Sequence, residues 1–225
     1  MARYVMTEQQ RLMLAGVIGL FAALLVGSGE FLLHFDPQGR FEVGYDFMRG
    51  IPAARTTQGH FFAVLGAPLY LVGYWQLMKM LEPAHRMLAR VAFAVMSYGI
   101  IIGAVWIGSR ASISAIVNEP ALTDPTALVA LYAGRYETLL QVTRIAALIF
   151  SLIFAGLVLT GRSRYPRWMA LFNPLALILL SFAIWALAPA VGVYLMPIAL
   201  NVAFSVLFIF SIYFAKHPNT RRESI

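Results

Sequence analysis

Residues 12–35 read LMLAGVIGLFAALLVGSGEFLLHF, an apolar run whose only ionisable side chains, Glu30 and His34, fall in its last two turns. A helix needs about 20 mostly apolar residues to cross the ~30 Å hydrocarbon layer of a bilayer. This run meets that length, and it is too long for the core of a cleaved leader, so it reads as a retained first span. Five further segments of the same kind follow, at approximately 58–81, 87–109, 136–160, 168–188 and 191–215. The chain is therefore expected to be all-α: one domain over residues 1–225, a bundle of six spans, with two longer connections at 36–57 and 110–135.

Composition agrees. Hydrophobic residues make up 60% of the 225 residues and charged ones 12%, with mean hydropathy +0.76. A soluble domain is roughly 45–50% apolar and about 25% charged. A water-soluble domain and a disordered chain are both excluded, because so much apolar surface needs lipid as its solvent. There is no cysteine, which removes disulfides, thiolate nucleophiles and cysteine-held metals or clusters. The net charge of +7 does not point to nucleic acid, since no Lys/Arg stripe with interleaved aromatics is present. The basic residues lie instead at the ends of the apolar segments.

Their distribution orients the chain. With six spans, one side holds Arg3, Arg11, Lys79, Arg86, Arg90, Arg162, Arg164, Arg167, Lys216, Arg221 and Arg222, eleven in all, with three acids, Glu8, Glu82 and Glu223. The other side holds five, Arg40, Arg49, Arg55, Arg110 and Arg135, matched by five acids, Asp36, Glu42, Asp46, Glu119 and Asp124. The positive-inside bias places both termini in the cytoplasm and implies a bacterial inner membrane. In the outer connections, Tyr45–Arg49 is expected to form a short interfacial helix, Thr57 to cap the second helix, and Asp124-Pro125 to open the fourth.

Helical phase then selects faces. Ala15, Gly19, Ala23 and Gly27 form a small-residue ridge, and Glu30 and His34 continue it at about 100° per residue. The second helix aligns His60, Ala63, Ala67, Tyr70 and Tyr74, with Pro68 freeing the carbonyl of Val64. The third aligns Gly99, Gly103, Trp106 and Arg110, and the fourth Glu137, Gln141, Arg144, Leu148 and Ser151. Arg144 lies about 14 Å inside the outer end of its span, where a lone arginine costs at least ~2.5–3.5 kcal/mol. It needs a partner, and Glu30 is the expected one. Arg110 with Glu137 is the expected rim salt bridge.

These groups share one layer, the outer half of the bundle. The sharp reading is a pocket lined by Glu30, His34, His60, Trp106, Arg110, Glu137, Gln141 and Arg144 that binds or transports a small amphipathic or lipid-like molecule. The competing enzymatic reading makes Glu30 or Glu137 a general acid/base with His60 in a lipid- or isoprenoid-modifying enzyme. The blander third reading is a structural or assembly protein whose charges only fix helix register. Glu30-x-x-x-His34 is too weak a signature for a metal site, so no metal and no cofactor is expected. The expected partners are membrane lipids and the amphipathic ligand, with no nucleic acid.

Gly29-Glu30-Phe31-Leu32-Leu33, the run Ala67-Pro68-Leu69-Tyr70-Leu71-Val72-Gly73-Tyr74-Trp75, and Tyr165-Pro166-Arg167-Trp168 followed by Asn173-Pro174 resemble a family of uncharacterised bacterial polytopic membrane proteins of unknown function. The resemblance spans most of the chain and implies a membrane bundle; it implies no activity.

Overall fold

A computed structural model describes residues 6–40 and 44–217. Arg3, Glu42, Arg221, Arg222 and Glu223, which enter the charge count above, lie outside the described residues. Among those described there are seven α-helices and no strand: α1 Glu8–His34, α2 Ala53–Leu81, α3 Arg86–Val117, α4 Thr126–Leu159, α5 Pro174–Leu187, α6 Pro189–Leu195 and α7 Ala199–Lys216. Helices α1 to α4, together with the nearly continuous α6–α7 stretch Pro189–Lys216, give five lengths apolar enough to cross a membrane. The expected fifth span is different. Only 14 residues of it, α5, are α-helical, after a six-residue 3-10 stretch, Arg167–Phe172. The break lies at Asn173-Pro174. The Asn173 side chain accepts from Ala176 N–H at 3.1 Å and donates to Ala170 O at 2.8 Å, and Pro174 takes the first helical position, where its missing N–H costs nothing.

Other boundaries moved outward. Helix α1 starts at Glu8 because Thr7 and Gln10 form a capping box, each side chain bonding the other's backbone N–H. Helix α2 starts at Ala53, so Thr57 lies inside it and caps nothing; Pro52 precedes the first turn. Helix α3 runs on past Arg110 to Val117, and α4 begins at Thr126, whose N–H is bonded by Asp124 Oδ1 at 2.9 Å. At 1.5 Å per residue, α3 and α4 are about 50 Å long, well beyond ~30 Å of hydrocarbon. The α4 C-terminus is closed by Gly161, whose φ of +70° is the left-handed conformation that glycine enters without a Cβ clash.

Contacts fix how the ends are arranged. Glu8 pairs with Arg164 at 2.6 Å, Gln9 Nε2 donates to Lys216 O at 2.8 Å, and Arg164 N donates to Met80 O at 2.8 Å. The start of α1, the end of α2, the α4–α5 connection and the end of α7 therefore meet at one end, here the basic end. At the opposite, far end, Arg55 reaches back to the Leu32 and Phe35 carbonyls at 2.8 and 2.7 Å, and Phe35 stacks on Tyr194 in the last turn of α6.

The core begins where small residues let backbones touch. A Cβ added at Gly19 would lie 2.7 Å from Gly73 Cα, and one at Gly29 would lie 2.5 Å from Gly59 O. Dispersion between closely apposed backbones is the main association force once lipid replaces water. Of the small ridge of α1, Gly19 meets both Gly73 on α2 and Phe208 on α7, and Gly27 faces Asn201 on α7; outside the ridge, Gly29 faces α2 and Gly16 faces Ile212 on α7. Next to this zipper, Tyr70, Tyr74, Phe204, Phe208 and Phe150 form a buried aromatic cluster. Around the outside, Leu14, Phe21, Leu65, Ile101, Val105, Ile145, Leu152, Leu180 and Ile209 are all exposed, an apolar belt that water would not tolerate.

A second apolar core sits at the far end. Phe47 and Met48, in a 3-10 turn at Asp46–Met48, pack with Ile113, Val117 and Tyr136. Asn118 fastens this turn: its amide donates to Met48 O at 2.8 Å and its oxygen accepts from Gly50 N–H at 2.7 Å. The short helix expected at Tyr45–Arg49 is therefore this turn, seated on the extended ends of α3 and α4.

Candidate functional site

Phase places the functional groups. On α1, Glu30 and His34 are both buried, as the ridge required. On α4 the buried face is Tyr136, Thr143, Ala146, Ala147, Phe150 and Phe154, while Glu137, Gln141, Arg144 and Leu148 are exposed. Ser151, the last residue of the expected face, is buried, but the other four are turned outward by about one residue. Aromatic rings and alanines take the tight interhelical contact, and the polar row is left at its edge.

Glu30, only 5% exposed, does not meet Arg144 in an ion pair. Its carboxyl Oε2 accepts from Asn201 Nδ2 on α7, and Asn201 Oδ1 in turn accepts from the Tyr70 hydroxyl at 2.7 Å. The expected Arg110–Glu137 bridge is also absent. Among the described residues, the ion pairs (Asp36–Arg40, Asp46–Arg49, Lys79–Glu82, Arg90–Glu82 and Glu8–Arg164) all lie at the two ends of the bundle.

His34 Nδ1 lies 2.9 Å from Glu30 O, and Nε2 lies 3.2 Å from the Tyr136 hydroxyl. A carbonyl only accepts, so Nδ1 carries the proton and Nε2 accepts from Tyr136. The ring stacks on Trp106 at 5.5 Å. One turn further along α3, Arg110 is 4% exposed, with its guanidinium 5.0 to 5.2 Å from the ring centres of Tyr45, Phe47 and Tyr136. Cation–π attraction in a desolvated cage is worth about 2 kcal/mol. The loop residue Tyr45 is affected in return: burial pushes its phenol pKa above the ordinary value, and the Arg110 guanidinium pulls against that shift. Arg110 Nε and Trp106 Nε1 are buried and have no hydrogen-bond partner.

These groups surround a cavity of about 610 Å³. Six of the eight expected residues line it: Glu30, His34, Trp106, Arg110, Glu137 and Arg144. His60 and Gln141 are not among its lining. His60 lies at the α2–α3 contact, near Gly108 and edge-on to Phe61, with Nδ1 unpartnered. The pairing of His60 with Glu30 or Glu137 that acid–base chemistry would need is not assembled. Tyr45, Tyr136 and Thr143 line the polar part, and Leu140, Ala147, Ile178, Phe182, Met196 and Leu200 the apolar part. Sequence reasoning missed Tyr45, which lies in the connection expected at 36–57, and Tyr136, which opens the expected fourth span but stands one position off the face chosen through Glu137. It also missed Asn201 as the partner of Glu30, although both lie in the far half of their helices. Among the described residues, no three of His, Asp and Glu gather as a metal site would require.

The fold and the cavity together describe an apolar helical bundle of the membrane type, with a cavity near one end that is mostly apolar and carries a few ionisable groups. Over residues 6–218 the chain matches DUF6796, a family of unknown function, and it belongs to that family. No curated protein and no solved structure matches the chain.

Proposed function

We propose that this is a polytopic protein of a bacterial inner membrane, crossing six times with both termini in the cytoplasm, whose outer-half cavity binds or transports a small amphipathic or lipid-like molecule. The 3-10 stretch and α5 together supply the fifth crossing. At ~2.0 Å per residue for the first and 1.5 Å for the second they offer about 33 Å. The meeting of the start of α1 with the end of α7 supports an even number of crossings. The basic residues gathered at that end support its cytoplasmic side.

The observation that carries the reading is the cavity itself. Its ~610 Å³ is the size of small-molecule sites, and its lining is apolar along one part and ionisable along another. The exposure of Arg144 and Phe182, one on α4 and one on α5, marks an opening between those helices at membrane depth. A molecule could enter there from the lipid without passing through water.

The test is mass spectrometry of molecules retained by the purified protein, compared with Thr143→Trp, which fills the chamber. The native chain should retain an amphiphile that Thr143→Trp loses while still folding. Equal retention by both, or none by either, overturns the reading.

A further inference from the structure

We propose that the cavity takes an anionic amphiphile, with a carboxylate or phosphate head held by Arg110 and Trp106 and a tail lying against α4 and α5. The proposal rests on the binding function above and specifies its ligand class.

Glu30 is bonded by Asn201, His34 and Tyr136 bond each other, and the Thr143 hydroxyl is returned to Leu139 O at 3.1 Å. What remains unbonded is donor in character: Trp106 Nε1 and Arg110 Nε, both buried. They stand at i and i+4 on α3, so they lie side by side on one helix face. Arg110 is a buried cation with no carboxylate within ion-pair distance among the described residues, held only by the faces of Tyr45, Phe47 and Tyr136. Arg144, which lines the same space, also enters no ion pair among the described residues. Two adjacent unbonded donors, beside two guanidinium groups that enter no ion pair, suit a head group with two oxygens and a negative charge.

A cationic head is disfavoured by the same geometry. The aromatic cage that would hold one already encloses the Arg110 guanidinium, and Glu30 is committed to Asn201. Glu137 also lines the cavity, but as an exposed residue at its edge, where solvent screens its charge. The apolar wall of Leu140, Ala147, Ile178, Phe182, Met196 and Leu200 provides for an alkyl chain.

Native mass spectrometry of the full chain in detergent, titrated with myristic acid, myristyl phosphate and myristyl alcohol, separates the possibilities. The tails are the same, so only the head differs. One or both anions should bind roughly tenfold more tightly than the alcohol, the amount expected of a charge-assisted hydrogen bond. Which of the two binds tells a carboxylate from a phosphate source. Arg110→Gln should bring the anions down to the level of the alcohol. Trp106→Phe keeps an aromatic ring but removes Nε1–H, so it should weaken the anions several-fold and leave the alcohol unchanged; it serves if Arg110→Gln does not fold. Equal binding of all three by the native chain would overturn the anion assignment and leave the binding function standing. Binding of none would overturn both.

Discussion

Asn201 shows how one amide can make a buried acid tolerable. Its nitrogen serves Glu30 and its oxygen serves Tyr70, so three polar groups from α1, α2 and α7 satisfy one another away from water. Asn201→Ala should lower the unfolding free energy by about 1–2 kcal/mol, near the upper range for polar contacts between membrane helices, read by equilibrium unfolding in mixed micelles. No loss would mean that Glu30 finds another partner. At the far end, Asp36 is buried and accepts from Arg40 through its side chain at 2.9 and 3.1 Å and through its backbone N–H at 2.8 Å. The Arg40 guanidinium therefore holds the carboxyl below its ordinary value of 3.8, with burial acting in the opposite direction. A depressed acid stabilises the folded turn fully above the unfolded value and loses that contribution as pH falls through the folded one. The protection of the amides at residues 36–40, corrected for the intrinsic pH dependence of exchange, should fall only below about pH 4. In Asp36→Asn that protection should be low already at neutral pH and should not change across that range.

At the scale of elements, the α1–α2 pair depends on the absence of side chains. Gly73→Ala would put a Cβ within 2.6 Å of Gly19 Cα, a backbone atom that cannot swing aside. The helices must separate, and a loss of about 1–3 kcal/mol is expected, measured as a lower thermal midpoint in detergent. Gly134, on the exposed side of α4, meets nothing within 4 Å of such a Cβ. Gly134→Ala should be neutral or stabilising by up to about 1 kcal/mol through helix propensity alone. If both substitutions behaved alike, close packing would not be what glycine provides here.

For the molecule as a whole, orientation is open to direct test because the sequence contains no cysteine. Thr123→Cys, in the α3–α4 connection, should react with a membrane-impermeant maleimide in intact cells. Thr160→Cys, at the end of α4, should react only after permeabilisation. The reverse pattern would invert the topology, and labelling of both from outside would break the six-span plan.

The apolar runs, the glycine ridge and the inward phase of Glu30 and His34 were legible without coordinates, because each follows from residues adjacent along one helix and from the cost of charge in hydrocarbon. The partner of Glu30 was not, since Asn201 is 171 positions away and only the packing of α7 on α1 brings it near. Nor was the rotation of α4, where the fit of Tyr136, Ala147 and Phe150 against neighbouring helices outweighed the pull of polar residues inward. The lengthening of α3 and α4 was signalled by Asp124-Pro125, but the packing of Phe47 and Met48, from the loop at 44–51, against those ends was not. Local chemistry set which segments are helices; contact between segments distant in the chain set which way they turn and where a chamber is left between them.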